Sequence, residues 1–423
     1  MPVDLPLNGS DYLMLGFDYE LRRKGYAGNS CQIVLELAAA ISPEALRLRL
    51  AELVKRYPIL RSRPAGVFTP KWQALADSNG FPQVRVHRQT PQLGEKLSDE
   101  SLAIRRGELV RFDLVERAGG GMEVVFSWTH ALMDAPSAEH FLALVGREDV
   151  ALPAIAAPVQ RPKKPLKERL LLARKNVNQL SDFCQAAPRT VGVRRPDAPP
   201  VQRYRVEKFS AEETAQIRAQ GVKLCGALGD AQFHAAVAMM ELHRLHERLG
   251  CSSPSYVLPV PVSLRPKGSV EPVFSNQIAM LMVQFLPEHL VTAATAVTTL
   301  KTQLAQALRD RRIEAGVAIT ELSRGLPFPL YLYILKQHGL RGEICSFFYG
   351  DTANVSPLLT TFLGATIKDF THVGATTPSP GLGAIFYYFG GELRLTVFHL
   401  ETHFSREEMA EFAAKLRARL LNP

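Results

Sequence analysis

The sequence predicts a mixed α/β (α+β) fold in two lobes, and three observations predict it. The chain has 423 residues, enough for two or perhaps three domains at roughly 100 to 200 residues each. Strand-like and helix-like segments recur on both sides of a Pro-rich basic stretch, and their order is not a strict strand–helix alternation. With 46% apolar and 22% charged residues, the composition is that of a globular chain and excludes wholesale disorder.

The first element is a short helix near Asp11 to Arg22, and a strand over Cys31 to Leu37 follows. Ser42 can cap the next helix and Pro43 suits its first turn. Leu46, Leu50, Leu53, Val54 and Tyr57 make its buried stripe at helical spacing. Strands are expected near Gln83 to His87, Leu109 to Glu116 and Met122 to Thr129, with Gly119-Gly120-Gly121 turning the last two into a hairpin. These elements make a first lobe over 1–150.

Residues 151–203 hold 11 Lys and Arg against 3 Asp and Glu, together with eight prolines. They predict a long connection with one helix inside, from about Pro165 to Cys184. Its expected apolar side is Leu166, Leu170, Val177 and Leu180, with Lys167, Arg174 and Lys175 among its polar residues. This stretch is taken as the linker between the lobes.

The second lobe, 204–423, opens with a strand near Tyr204 to Phe209 and a helix whose start carries the Ser210 and Glu213 capping box. A long helix from about Asp230 to Leu249 and strands over Ser255 to Leu264 and Asn276 to Leu286 come next. One helix is expected over Val291 to Ala315 and another near Pro329 to His338. Strands recur near Glu343 to Tyr349, Thr361 to Phe370, Ala384 to Phe389 and Leu393 to His399. Ser405 and Glu408 box a last helix that buries Met409, Phe412, Ala413, Leu416 and Leu420.

Charge and composition narrow the function classes. Net charge is +9, and nearly all of it lies in the linker, which argues against a nucleic-acid-binding face spread over a folded domain. The longest apolar run is far short of the ~20 residues a membrane helix needs. Met1-Pro2-Val3-Asp4 carries no basic cluster followed by an apolar stretch, so a cytoplasmic location is expected. Cys31, Cys184, Cys225, Cys251 and Cys345 are odd in number with no CxxC pair, and they read as buried thiols. His399 and His403 lie at a strand end and do not form the helical HExxH zinc motif, so no metal is expected. His243 and His246 are expected at a surface or interface. There is no GxGxxG, no P-loop and no GxSxG elbow.

One segment points to chemistry: Phe126-Ser127-Trp128-Thr129-His130-Ala131-Leu132-Met133-Asp134-Ala135. A strand ends at an imidazole, a tight loop follows, and a carboxylate sits four residues on, just before a helix near Pro136. The bare HxxxD pattern is weak, and a core histidine beside a helix-capping Asp134 would produce it equally well. A second segment strengthens it. Val260-Pro261-Val262-Ser263-Leu264-Arg265-Pro266 lies at a strand end, followed by Phe274-Ser275-Asn276.

Together these segments resemble the CoA-dependent acyltransferase superfamily. It includes chloramphenicol acetyltransferase, plant BAHD acyltransferases, peptide-synthetase condensation domains and bacterial wax ester synthases. Pro6-Leu7-Asn8-Gly9-Ser10-Asp11, Tyr57-Pro58-Ile59-Leu60-Arg61 and Thr352-Ala353-Asn354-Val355-Ser356-Pro357 extend the resemblance over nearly the whole chain. Thr129 stands where the family's HHxxxDG motif has its first His, and Ala135 where it has Gly.

The resemblance implies two chloramphenicol-acetyltransferase-like lobes with a tunnel at their interface and a long crossover at the basic linker. It implies His130 as general base, a suitable role for an imidazole near neutral pH. It also implies Asp134 turned away and paired with Arg265. Thr129, Ala135, Asn276 and Asn354 are the implied substrate-binding positions; for the two asparagines a loop-capping role weighs equally. No cofactor is held permanently, and an acyl-CoA or acyl-carrier-protein thioester is the co-substrate. The expected reaction is acyl transfer to a hydroxyl on a small-molecule or lipid acceptor. Its alternatives are amide formation, as in a free-standing condensation domain, and a catalytically silent member that binds a carrier protein or acyl chain. An acyl carrier protein and a peripheral membrane contact through 161–175 complete the expected partners.

Overall fold

The computed structural model describes residues 5–66, 68–75, 82–90, 93–150, 164–189, 195–227, 229–339, 345–355 and 357–423; for 335–339 and 353–354 it describes the backbone alone. Strand β1 (Leu5–Pro6) leads into helix α1 (Gly9–Arg23), which Asn8 and Asp11 close with a capping box. Gly9 lies so close to the Thr320 backbone that a Cβ would come within 2.5 Å of it. Strand β2 (Ser30–Leu37) and helix α2 (Pro43–Arg56) follow, α2 capped by Ser42 and buried along its expected stripe.

Strands β3 (Ser62–Ala65), β4 (Lys71–Ala74) and β5 (Gln83–Arg88) and helix α3 (Leu93–Asp99) precede the hairpin of β6 (Val110–Glu116) and β7 (Met122–Thr129). Helix α4 (Ala135–Gly146) and the linker helix α5 (Leu166–Gln185) come next. The second half contains β8 (Gln202–Lys208), α6 (Ala211–Cys225), α7 (Asp230–Arg248), β9 (Tyr256–Ser263) and β10 (Ile278–Phe285). It continues with α8 (Ala293–Arg309), α9 (Arg312–Ser323), α10 (Phe328–Gly339), β11 (Phe348–Asn354), β12 (Thr361–Phe362) and β13 (Ala365–Val373). Strands β14 (Leu382–Phe389) and β15 (Glu392–Leu400) and helix α11 (Arg406–Leu421) end it.

The two largest of the four sheets among the described residues organise these elements, beside a three-stranded β1-β4-β3 sheet. The first runs β12-β13-β2-β7-β6-β5, antiparallel except between β5 and β6. It shares one core with the stripe of α2 and with Phe141, Leu142 and Val145 of α4. The second runs β11-β14-β15-β8. The β9–β10 hairpin extends it, since the Ser346 N–H donates to the Val257 carbonyl at 2.8 Å. Helices α6, α7, α8 and α11 contribute to its core.

The sheets do not respect a boundary at residue 204. Strands β12 and β13 come from the C-terminal segment yet complete the N-terminal sheet, with Phe370 opposite Leu35 and His372 opposite Ile33. Strand β14 joins the two cores directly. Ile385 and Tyr387 enter the first core, and Ala384, Phe386 and Tyr388 enter the second. The period-two alternation of a strand makes β14 a shared wall, which explains why its sequence is apolar at almost every position.

Other expectations are corrected. The helix over 291–315 is two helices, broken where Arg311 takes a left-handed backbone (φ 59°). The strand expected from Glu343 starts at Phe348, and 343–344 lie outside the described residues. Strands β3 and β4 and helix α3 were not anticipated; they are short, and short elements carry little periodicity. His243 and His246 are buried around Tyr256, not at a surface, and the His243 ring lies 2.9 Å from the Tyr256 hydroxyl. Cys31 and Cys184 are buried, whereas Cys225, Cys251 and Cys345 are partly exposed.

The linker helix presents a different face from the one its sequence suggests. Leu172 packs with Ala315 and Ala318 of α9, and Gln179 donates to the Met282 carbonyl. The small alanines of α9 admit close approach on that side. Leu166, Leu170 and Leu171 are left 61%, 53% and 55% exposed.

The β13 crossing ties both halves into one core, so truncating it should destabilise the whole chain. Phe370 is fully buried against His372, Tyr387 and Phe389. Phe370→Ala should cost about 3–5 kcal/mol, the usual range for a buried Phe. In urea unfolding followed by both fluorescence and far-UV circular dichroism, the two probes should shift together.

Candidate active site

Strand β7, interior to the first sheet, ends at Thr129 and delivers His130 just past its C-terminal end. The His130 N–H donates to the Asn29 carbonyl at 2.9 Å, and the Leu132 N–H closes a turn onto the Thr129 carbonyl at 3.0 Å. Below this turn the Trp128 indole N–H donates to the Met133 carbonyl at 3.1 Å. Asp134 then caps α4, its Oδ1 accepting from the Ser137 N–H at 3.3 Å, and Pro136 occupies the first turn. Ala135 is the first residue of α4 and has no positive φ. The residue that stands in place of the expected Gly is therefore unstrained.

Asp134 caps the helix and also binds Arg265. The guanidinium makes a bidentate pair with the carboxylate at 2.7 and 3.1 Å, the arrangement that best matches the two planar groups. Both side chains are at most 5% exposed. Remaining guanidinium N–H groups donate to the Ser137 hydroxyl and to the carbonyls of Val270, Pro272 and Ser275. The Gln277 N–H donates to Asp134 Oδ2 at 2.9 Å. The pair is thus buried with its hydrogen bonds satisfied, the condition under which burying two charges is tolerable.

Asn276 acts on His130 from behind. Its Nδ2 donates to the His130 carbonyl at 2.8 Å and to Asp11 Oδ1 at 3.0 Å, and its own N–H donates to Asp11 Oδ1 at 2.7 Å. Asp11 is also held by the Ser275 hydroxyl and the Asn8 N–H. Burial pushes the Asp11 carboxyl up to about 7, and these hydrogen bonds pull against that shift. Asn276 thus holds the His130 loop through its carbonyl.

Burial holds the His130 imidazole below its ordinary pKa; a contact with its own backbone carbonyl, the Asp134 charge and Asn276 each oppose that shift. Its Nδ1 is buried with no geometric hydrogen-bond partner among the described residues, and the residue keeps some accessible surface. Thr129 is fully buried, so it supports the loop and presents no accessible surface. Asn354 lies in β11 opposite Tyr388, and its side chain is outside the described residues.

Three further groups surround this site and were not singled out in the sequence. Glu139 of α4, His372 of β13 and Thr352 of β11 are all buried. The signal for Glu139 was present: it is the lone acid in the largely apolar helix Ala135–Gly146. His372 sits in inward register with Phe370, a polar residue at a core position of its strand. Among the described residues, no group of three or more His, Cys, Asp or Glu could hold a metal ion. No helix there is long and apolar enough to cross a membrane.

No protein-family model and no curated protein matches this sequence. Solved structures do match its fold. Trichothecene 15-O-acetyltransferase from Fusarium sporotrichioides is similar at a TM-score of 0.74 and 12% identity, over 99% of this chain and 94% of that one. The first condensation domain of the calcium-dependent antibiotic synthetase is similar at 0.70 and 14%, over 99% and 96%. The starter condensation domain of rhizomide synthetase, solved with C8-CoA and Leu-SNAC, is similar at 0.65 and 12%, over 99% and 94%. The chain thus has the two-lobed chloramphenicol-acetyltransferase-like fold.

The Asp134–Arg265 pair should dominate the stability of this region. Arg265→Met leaves a buried carboxylate with only backbone donors and should cost about 3–5 kcal/mol. Chemical denaturation of the purified variant measures it. A loss under ~1 kcal/mol, the scale of an exposed pair, would contradict the structural role assigned here.

Proposed function

We propose that this chain transfers an acyl group from a thioester donor, acyl-CoA or an acyl carrier protein, to a hydroxyl acceptor, with His130 as general base. The observation that carries the reading is the aimed imidazole. Its Nδ1 is buried and the residue keeps some accessible surface, while Asn276 and the Asp134–Arg265 pair hold its loop from behind. Nε2 takes the acceptor hydroxyl proton as the oxygen attacks the thioester carbonyl. The C–S bond then breaks, the ester forms, and the same proton passes from His130 to the departing thiolate. No covalent acyl-enzyme is needed, because the thioester is already activated. Asp134 does not touch the reactants. The fold shared with an O-acetyltransferase and with condensation domains supports acyl transfer as the reaction class.

Thiol release from a panel of acyl-CoAs, with mixed alcohol and amine acceptors and the protein's thiols blanked, tests this. Acceptor-dependent release should fall about 10²–10⁴-fold in His130→Ala, the usual contribution of a general base. The base works unprotonated and burial lowers its pKa. The plateau of the pH–rate profile should therefore extend below pH 6.5 before the acid limb begins. Amide product with the amine acceptors would move the assignment to condensation-type chemistry. No release from any acyl-CoA or acyl-loaded carrier protein would sink it.

The exposed face of α5 supports a reading of where the protein works, on an anionic bilayer. Leu166, Lys167, Leu170, Leu171 and Arg174 line a shallow surface depression of about 420 Å³. Lys164 is neutralised by Glu168 and Glu314, but Lys167, Arg174 and Lys175 make no ion pair among the described residues. Apolar side chains flanked by free cations complement an interface of acyl chains and anionic headgroups. Lys163, of the expected segment 161–175, lies outside the described residues. Vesicles rich in phosphatidylserine should sediment the protein at low salt. Binding should weaken with added salt and drop several-fold in Lys167→Glu/Leu170→Ser, at about 1 kcal/mol per cation. No sedimentation at low salt would end this reading.

A further inference from the structure

Beside His130 lies a second cluster of polar groups that the proposed reaction does not use. Glu139 Oε1, both ring nitrogens of His372 and the Thr352 hydroxyl are buried with no geometric hydrogen-bond partner among the described residues, although Thr352 is near enough to Glu139 to act on its carboxyl. The Glu139 and His372 side chains are 8% and 1% exposed, and His372 Nε2 stands 3.9 Å from Glu139 Oε1, too far for a hydrogen bond. The groups come from both halves of the fold: α4 and β13 belong to the first core, and β11 to the second sheet. His372 is near enough to His130 for the two rings to feel each other's charge. Trp128, Phe370 and Tyr387 surround His372 at ring-centroid distances of 5.8, 6.1 and 6.4 Å. Buried polar atoms left unpaired are costly, and native proteins keep few of them without a use.

We propose that Glu139, His372 and Thr352 form a subsite for a second hydroxyl of the acceptor, so that the chain favours diols or polyols over simple alcohols. This rests on the acyl-transfer reading, with one hydroxyl at His130 and the other in the subsite. The donor and acceptor inventory selects the class. The nearby Arg265 is already paired with Asp134, and among the described residues no Lys or Arg pairs with Glu139. Burial, and then the Asp134 charge, push the Glu139 carboxyl up to about 8, while burial and His130 push the His372 imidazole down to about 3. At neutral pH the cluster is therefore an uncharged carboxylic acid, an uncharged imidazole and a hydroxyl. Each donates one hydrogen bond and accepts others. A hydroxyl group, which also does both, satisfies such a set. An ammonium group only donates, and it would face the acid proton and the imidazole N–H.

Binding of 1,2-octanediol, 1-octanol and octylamine, followed by ligand-observed NMR titration without any thioester, tests the subsite apart from the reaction. Wild type should bind the diol about tenfold more tightly than the monohydric alcohol, the scale of two net hydrogen bonds. Glu139→Leu and His372→Phe should remove that preference and leave the 1-octanol affinity within twofold. Glu139→Gln, which keeps a donor and an acceptor, should retain part of it and serves as the folded comparison where Glu139→Leu fails to fold. Equal affinity of wild type for diol and alcohol would overturn the proposal. So would equal losses for both probes in the variants, which mark a merely structural role, or octylamine binding more tightly than the diol. A wild type that prefers the diol but transfers no acyl group would count against the reaction alone.

Discussion

A carboxylate and a guanidinium taken out of water together must find each other and must satisfy every remaining lone pair and N–H, or the structure is strongly destabilised. Asp134 and Arg265 meet that demand across the two halves of the chain. Arg265 reaches Asp134 in two bonds and turns its other N–H groups onto the carbonyls of Val270, Pro272 and Ser275. Those carbonyls are in place only when the loop after β9 is folded. The same loop supplies the Gln277 N–H to Asp134 and the Asn276 amide to the His130 carbonyl. Docking of the halves and aiming of the imidazole are thus one set of hydrogen bonds, and neither can be had without the other.

The apolar core imposes the same coupling from the opposite side. Because β14 faces one core with alternate residues and the other core with the rest, the lobes cannot slide past each other without exposing large side chains such as Tyr387 or Phe386. Strand β13 deepens this by crossing into the first sheet. A site assembled from α4, β7, β11 and β13 therefore rests on elements whose mutual placement is set by packing.

Much of this was legible in residues with a local physical signature. Capping boxes at Ser210 and Ser405 placed their helices correctly, because a cap is a contact between residues three apart. The stripe of α2 and that of α11 buried as expected, since periodicity reports one face of a helix. The linker helix shows where that logic stops. Its leucines define an apolar face, but the face it buries was chosen by the alanines of α9, roughly 140 residues away, and periodicity carries no information about the partner. The break at Arg311 and the crossing of β13 were invisible for the same reason. At the site, His130, Asp134 and Arg265 were read from their segments and their resemblance, and the structure joins the last two. The hydrogen bonds of Asp11 to Asn276, and the assembly of Glu139, His372 and Thr352, depend on tertiary placement. A lone acid in an apolar helix hinted at the second cluster, without saying what it would meet.

The charge distribution sets the protonation of a deeply placed site. The Asp134–Arg265 ion pair lies buried behind the loop, and the Asp134 charge still acts on both His130 and Glu139. Burial then acts on everything else in the same sense: it keeps His130 and His372 unprotonated and Glu139 protonated. His130, His372 and Glu139 are consequently neutral near pH 7. A neutral imidazole is the form that can accept a proton, and a neutral lining adds no desolvation penalty when an apolar acyl chain enters beside it. The imidazole therefore owes its protonation state to the low dielectric around it, while the charged pair fixes its loop. This division of labour follows from Asp134 turning its carboxylate onto Arg265 although it stands only four residues from the histidine.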